Sequence, residues 1–398
     1  MKKAAAAVTF TIIVFQCVFS SGCASMFEKE YLYVSDFIAE APDETGDYAV
    51  EVTGFNELKS AVTRFVIGHA DVGKVEFRNY DGNINADLAE ACWQVKSENA
   101  FGAYAVNYIS YDVNHIISYY AADIYINYRH TKEELSGIAT AENITLVAEY
   151  LRIGLERFDT VILLLINNRL LTADDIKEHI LELYYGDPLM SPVLPVAEIN
   201  SYPEKGAQRI FETRFDYFYG RERLGEMKAG LAGAVLEFSS SLDEVEPVFA
   251  AMEACIRLSE MCDYIHESDS LPASSEPSTA YGALIENAAD GLGFAMAYKA
   301  LCDAVSVECH VVLGRMDKAP HAWNIIKIED EYYHVDVSQC SERGIEGVFL
   351  TGDSDMWGRY LWDTEKYPEC EGSLSYYIIT DPQMRDDEAN PDENSLDN

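Results

Sequence analysis

Basic residues are scarce in this chain: 29 lysines and arginines stand against 68 aspartates and glutamates, a formal net charge of −39. That balance excludes nucleic acid as a partner, because binding to a phosphate backbone rests on counterion release by clustered cations. It also disfavours adsorption to anionic polymers or lipid head groups. Cysteines at metal or redox spacing are missing as well. Nine are present, but none forms a CxxC pair or joins histidines at zinc spacing. Setting aside Cys17 and Cys23 leaves Cys92, Cys255, Cys262, Cys302, Cys309, Cys340 and Cys370, an odd set without regular spacing, which makes no disulfide framework. Cys255 and Cys262 stand about 10.5 Å apart along a helix axis, too far to bridge if the helix is straight. Buried thiols are expected, with no metal and no cofactor. Beyond the first residues no apolar run is long enough to span a bilayer, and the run from Val161 to Ile166 reads as a buried strand.

The start of the chain has the pattern of an export signal. Lys2 and Lys3 precede an apolar stretch from Ala4 to Phe19, and Ser20-Ser21-Gly22-Cys23 follows. Small residues before a cysteine resemble a bacterial lipobox, with Ser20 where leucine is usual. The resemblance implies a leader at 1–22, lipid attachment at Cys23, a linker at 23–52, and anchoring to the extracytoplasmic face of the cell membrane. At the other end, residues 379–398 form an acidic tail in which Arg385 to Asn398 contains only Ala389 and Leu396 as apolar residues. Such a segment cannot bury enough surface to fold.

The middle of the chain repeats itself at an offset of 88–89 residues. Lys74 to Asn79 matches Ile162 to Asn167, Ala86 to Glu90 matches Asp174 to Glu178, and Ile126-Asn127-Tyr128 matches Phe215-Asp216-Tyr217. Two α+β units, 53–143 and 144–245, are expected, each reading helix, strand, helix, link, strand, helix. Tyr104, Tyr108, Tyr111, Tyr119, Tyr120, Tyr125 and Tyr128 crowd the first unit. They read as β propensity with hydroxyls at the rim, or as a surface for sugars or peptides.

The chemistry-bearing motifs lie further on. His321-Ala322-Trp323-Asn324 and Tyr333-His334-Val335-Asp336 follow Tyr281-Gly282-Ala283-Leu284 and the segment Asp290-Gly291-Leu292-Gly293-Phe294-Ala295. The stretch Trp323 to Ile328 alternates into a turn at Glu329-Asp330-Glu331, and Tyr332 to Val337 returns. Two antiparallel strands would therefore bring His321 and Asp336 together. Together these motifs resemble the bacterial transglutaminase-like branch of the papain-like cysteine protease superfamily, over about residues 246–378. The resemblance extends through Tyr360-Leu361-Trp362-Asp363 to Cys370. It implies a nucleophilic cysteine in the first turn of a helix over 291–304, with His321 sharing its proton and Asp336 orienting the imidazole. The nucleophile position is Gly291, which has no side chain. Ala288 and Asp290 also depart from the family pattern.

Other cysteines are poor substitutes: Cys302 and Cys309 lie too far along to reach His321, and Cys340, four residues after Asp336, is harder to exclude. The remaining motif residues have quieter readings. Trp323 reads as core packing. His334 alternates with Val335 and is expected to face away from the cleft, at the surface or in a second layer. The stretch Ser268 to Ser278 is a loop that the resemblance places beside the cleft.

The expected fold class is α+β: two related small modules followed by a transglutaminase-like domain. The expected function is that of a cell-surface lipoprotein with an inactive acyl-transfer site that binds peptide or protein segments. Two alternatives stand: an active thiol peptidase or transglutaminase-like enzyme if residue 291 is naturally cysteine, and a scaffold acting through its tandem modules.

Overall fold

The computed structural model describes residues 49–242, 244–266 and 276–381. The leader, Cys23, most of the linker, the loop from Ser268 as far as Ser275, and the tail beyond Asp381 lie outside the described residues. Among the described residues no helix is long and apolar enough to cross a membrane.

The first part of the chain runs β1 (Val50–Val52), α1 (Phe55–Ile67), β2 (Val72–Phe77), α2 (Ile84–Glu98), α3 (Ala100–Ala105), β3 (Val106–Ile116) and β4 (Tyr119–Tyr128). The strands order as β1-β2-β4-β3, with β1 parallel to β2 and the other pairs antiparallel. Helix α2 starts where the Asn83 side chain accepts the Ala86 N–H at 3.2 Å. Its buried stripe of Leu88, Ala91, Cys92 and Val95 follows helical spacing and packs into a local core with Val75, Phe77 and Ile124. Of the tyrosines in this region, Tyr104 is buried on α3, while Tyr108, Tyr120 and Tyr125 on the hairpin are exposed.

The next segment runs α4 (Lys132–Ser136), β5 (Ala139–Ala141), α5 (Ile144–Arg157), β6 (Val161–Ile166), α6 (Ala173–Gly186), β7 (Val196–Tyr202), β8 (Arg209–Asp216) and α7 (Arg221–Ser240). Its sheet orders as β5-β6-β8-β7, and every pairing has the same sense as its counterpart in the first sheet. Each set opens on a three-residue parallel strand and ends in a hairpin. Strands that short carry too few residues to show alternation, so the sequence reading began each unit at its helix.

The last part contains α8 (Pro247–Met261), β9 (Asp263–Tyr264), α9 (Ala280–Leu284), β10 (Ala288–Ala289), α10 (Gly291–Ala304), β11 (Cys309–Met316), β12 (Ala319–Ile328), β13 (Glu331–Val335), α11 (Cys340–Arg343), β14 (Phe349–Thr351), α12 (Asp353–Met356), β15 (Tyr360–Leu361) and α13 (Tyr376–Thr380). Five of these strands form an antiparallel sheet in the order β14-β13-β12-β11-β15. Ile328 pairs with Glu331, so the β12–β13 turn is the two residues Glu329 and Asp330 and Glu331 already belongs to the strand. Helix α10 is buried almost all round, with helices on one side and the sheet on the other. The Tyr298 hydroxyl donates to the Ala251 carbonyl of α8 at 3.1 Å, and the Asn324 amide of β12 donates to the Ala295 carbonyl at 2.9 Å.

Two glycines of the sequence motif are required by close approach. A Cβ at Gly293 would collide with the Pro277 carbonyl oxygen, and one at Gly282 with that of Glu276. Both sit against the same turn at Glu276–Ser278, which leads into the site. The core does not break where the C-terminal part begins: one buried cluster runs from Leu151 on α5 through Leu231 on α7 to Tyr298 and Tyr333.

Candidate functional site

Both faces of the five-stranded sheet are covered. Ala322, Ile326, Tyr333 and Val335 face α10, whereas Val312, Trp323, Ile325, Tyr360 and Trp362 form a second core on the opposite face. Alternation along β12 puts His321 on the Trp323 side, and its ring stacks 6.2 Å from the indole with 20° between the planes.

His321 is 5% exposed and Asp336, directly after β13, is 2% exposed. Their Nε2 and Oδ2 atoms lie 2.9 Å apart. The same Oδ2 accepts from the Tyr360 hydroxyl at 2.7 Å, and Oδ1 accepts from the Ser338 hydroxyl at 2.7 Å. Burial pushes the Asp336 carboxyl upward, but the bond and charge of His321, followed by Tyr360 and Ser338, outweigh it and hold its pKa below the ordinary value. An ionised carboxylate only accepts, so Nε2 carries a proton. Burial, reinforced by the Asp336 charge, pushes the Tyr360 phenol up and keeps it a donor.

Gly291, the position at which the sequence motif would place a nucleophile, lies buried at the first turn of α10. Asp290 caps the helix: its Oδ1 accepts the Gly293 N–H at 3.0 Å, its Oδ2 accepts the Ser278 hydroxyl, and its own N–H donates to the Pro277 carbonyl at 2.9 Å. The helix start is therefore capped by a buried carboxylate directly before Gly291. That carboxylate would oppose a thiolate there, while the helix N-terminus would favour one.

Among the described residues the other cysteines lie elsewhere in the fold. Cys302 and Cys309 are buried next to each other, and burial followed by Cys302 pushes the Cys309 thiol well up. Cys340 has its thiol lowered to about 7, but the first cause is a hydrogen bond from Cys255, opposed by burial and helped by Ser259. Among the described residues, no histidine is among the leading influences on it.

His334 is fully buried, which corrects the surface reading. The Trp323 indole N–H donates to its Nδ1 at 2.9 Å, and its Nε2 meets Asp353 Oδ1 at 2.8 Å. Trp323 is thus both core and hydrogen-bond donor. An indole can only donate, so the His334 proton sits on Nε2. Burial lowers the His334 pKa, and Asp353 offsets this only in part. With Cys370, His334 and Asp353 form a group whose potential ligand atoms lie within 4.8 Å of one another. That grouping escaped the sequence reading because its members are far apart in the chain. It is a poor metal site as arranged: the imidazole has no spare lone pair, and burial followed by the Asp353 charge pushes the Cys370 thiol well up.

Sequence reasoning also missed Ser338 and Tyr360 as partners of Asp336. Tyr360 belonged to a recognised motif without a role, and Ser338 was signalled only by its place two residues after Asp336. Beside Tyr360 lies an open cavity of about 820 Å³ whose lining includes Arg315, Lys318, Arg359, Asp317 and the exposed Trp357 and Leu361.

No family model matches this chain, and no curated protein matches it either. Among solved structures, a TGase aligns over 50% of this chain at 9% identity and a TM-score of 0.25, and this chain covers 59% of that protein's length. A proposed cysteine protease from Cytophaga hutchinsonii aligns over 42% of this chain and 71% of its own, at 14% identity and a TM-score of 0.24.

Proposed function

We propose that this chain is a lipid-anchored extracytoplasmic protein whose C-terminal transglutaminase-like domain has lost acyl-transfer chemistry and binds peptide or protein segments. The observation that carries the reading is the pairing of a complete His321–Asp336 dyad, buried and held by Tyr360 and Ser338, with glycine at the first turn of α10. Without a nucleophile there is no covalent intermediate for the dyad to serve. Removing the nucleophile of a comparable triad costs on the order of 10⁶-fold in turnover. The cavity beside Tyr360 has the size of a ligand site, and its cations on a strongly acidic molecule suit segments bearing carboxylates. The two N-terminal sheets, alike in strand order and sense, are read as a tandem pair of modules.

The purified chain is expected neither to hydrolyse nor to transamidate glutamine peptides; thiol-dependent turnover abolished by His321→Ala would overturn the inactive reading. Gly291→Cys is expected to introduce a thiol with a pKa below the free value of ~8.5, read as alkylation at residue 291 against pH. A thiol titrating at or above that value would mean that the dyad does not serve the helix start. Peptide binding is tested by display selection against the chain and its Trp357→Ala, Arg359→Ala double variant. Equal enrichment on both would remove the cavity from the proposal. Cys23→Ser is expected to release the protein to the medium or stall its processing, and a processed wild-type protein that takes up no palmitate analogue would rule out the anchor.

A further inference from the structure

The chain holds two pairs of neighbouring thiols, and they differ in access. Cys302 and Cys309 join α10 to β11 and are both fully buried. Cys255 lies on the buried face of α8, and Cys340 opens α11, which packs against α8. The packing of α11 on α8 carries Cys340 to the core in which Cys255 is buried, and each thiol is the leading influence on the other's ionisation although 255 and 340 are remote in sequence. Cys255 is 0% exposed, while Cys340 is only partly buried, at the rim of the same core. One thiol of this pair can meet a reagent from solvent, and the other can be reached only through it.

We propose that Cys255 and Cys340 form a thiol–disulfide exchange site, with Cys340 as the attacking thiol and Cys255 as the resolving thiol, taking small-molecule disulfides as oxidant. The Cys340 thiolate attacks one sulfur of the disulfide, forming a mixed disulfide and expelling one thiolate. Cys255 loses its proton to the expelled thiolate through solvent and attacks the Cys340 sulfur, expelling the second thiolate, which takes a proton from water. Two protein thiols are oxidised and one disulfide is reduced to two thiols.

The surroundings support this assignment of roles. Among the described residues, the leading influences on the Cys340 thiol are Cys255 and Ser259, which favour its thiolate, and burial, Glu346 and Asp336, which oppose it; the balance lies at about 7. Cys255, by contrast, is pushed well up by its bond to Cys340 and then by burial, so it stays protonated until the first sulfur has reacted. The bridge would act close to the dyad. Asp336, Ser338 and Cys340 share one short segment around the turn at Val337–Gln339, so oxidation would tie the support of Asp336 to α8.

The test uses the purified full chain equilibrated with reduced and oxidised glutathione over a range of ratios, quenched in acid, digested with trypsin and mapped by mass spectrometry. Residues 229–257 and 328–343 form two tryptic peptides, each with a single cysteine. The expected result is a linked pair of these peptides that a dithiol reverses, while the peptide at 300–315, which holds Cys302 and Cys309, stays reduced. Cys255→Ser should stop at glutathione on Cys340, and Cys340→Ser should leave Cys255 unmodified. The proposal is overturned if wild-type Cys340 stays reduced, if it accumulates glutathione without linking to Cys255, or if Cys302 and Cys309 oxidise at the same ratio. The wild-type mapping decides the matter even if a serine variant fails to fold.

Discussion

Two buried histidine–carboxylate pairs lie on the same face of one sheet, and they are built differently. In the first, His321 meets Asp336 at 2.9 Å, and the carboxylate collects further bonds from Tyr360 and Ser338. In the second, His334 meets Asp353 at 2.8 Å, but it is the imidazole whose two nitrogens are both engaged, by Trp323 and Asp353, and the Asp353 side chain is 20% exposed. The first arrangement concentrates donors on a buried carboxylate. The second holds a neutral histidine through both of its nitrogens. A histidine beside an aspartate is therefore not in itself a catalytic signature; the place where the extra hydrogen bonds converge separates the two.

The largest consequence should appear on removing the carboxylates. Asp336→Ala leaves three partner groups facing an empty, dry space, and breaking a buried pair of this kind costs about 3–5 kcal/mol. Asp353→Ala removes one charge-assisted bond at a partly exposed site and should cost about 1.5–3 kcal/mol. Denaturant midpoints of the two variants check the order, and a larger loss for Asp353→Ala would reverse the comparison.

A smaller effect separates the pairs by pH. His334 has its folded pKa depressed, mainly by burial, so the unfolded chain binds a proton near its ordinary value of about 6.5 before the folded chain does. Its contribution to stability is present above that pH and is lost as pH falls through the folded pKa. Asp336 is also depressed, so its contribution is present above about 3.9 and is lost only in stronger acid. Stability should fall in two stages on acidification, and His334→Gln should remove the upper one alone. Imidazole ¹⁵N shifts at neutral pH should show the His334 proton on Nε2; a proton on Nδ1 would contradict the bond from Trp323.

Some of this was legible in the sequence and some was not, for definite reasons. The spacing of His321 and Asp336 on a hairpin gave the dyad, because a two-strand turn is local and its register follows from the turn. Gly282 and Gly293 stood in a recognised motif, and the carbonyls they approach supply the reason for them. The surface alternative for His334 failed because alternation separates the faces of a sheet without telling whether both are covered; β13 lies between β12 and β14 with a core on each side. Tyr360, Asp353 and Cys370 reach the site from later segments, and Cys255 reaches Cys340 from an earlier helix. Contacts across such separations leave no periodic trace in a single chain.

The smallest expected effect concerns Ser338, and it tests whether the convergence on Asp336 is layered or all-or-none. Ser338→Ala removes the donor to Oδ1 but leaves His321 and Tyr360 on Oδ2. His321 lowers the carboxyl more than Ser338 does, so Asp336 should remain ionised at neutral pH, and the loss should be about 1 kcal/mol in the denaturant midpoint. The acid limb should move to higher pH, because one of the groups holding the folded pKa down is gone. If the loss instead equals that of Asp336→Ala, the hydroxyl must be holding the turn at Val337–Gln339 rather than the charge. The difference between the two histidine pairs would then rest on backbone placement and not on the number of donors.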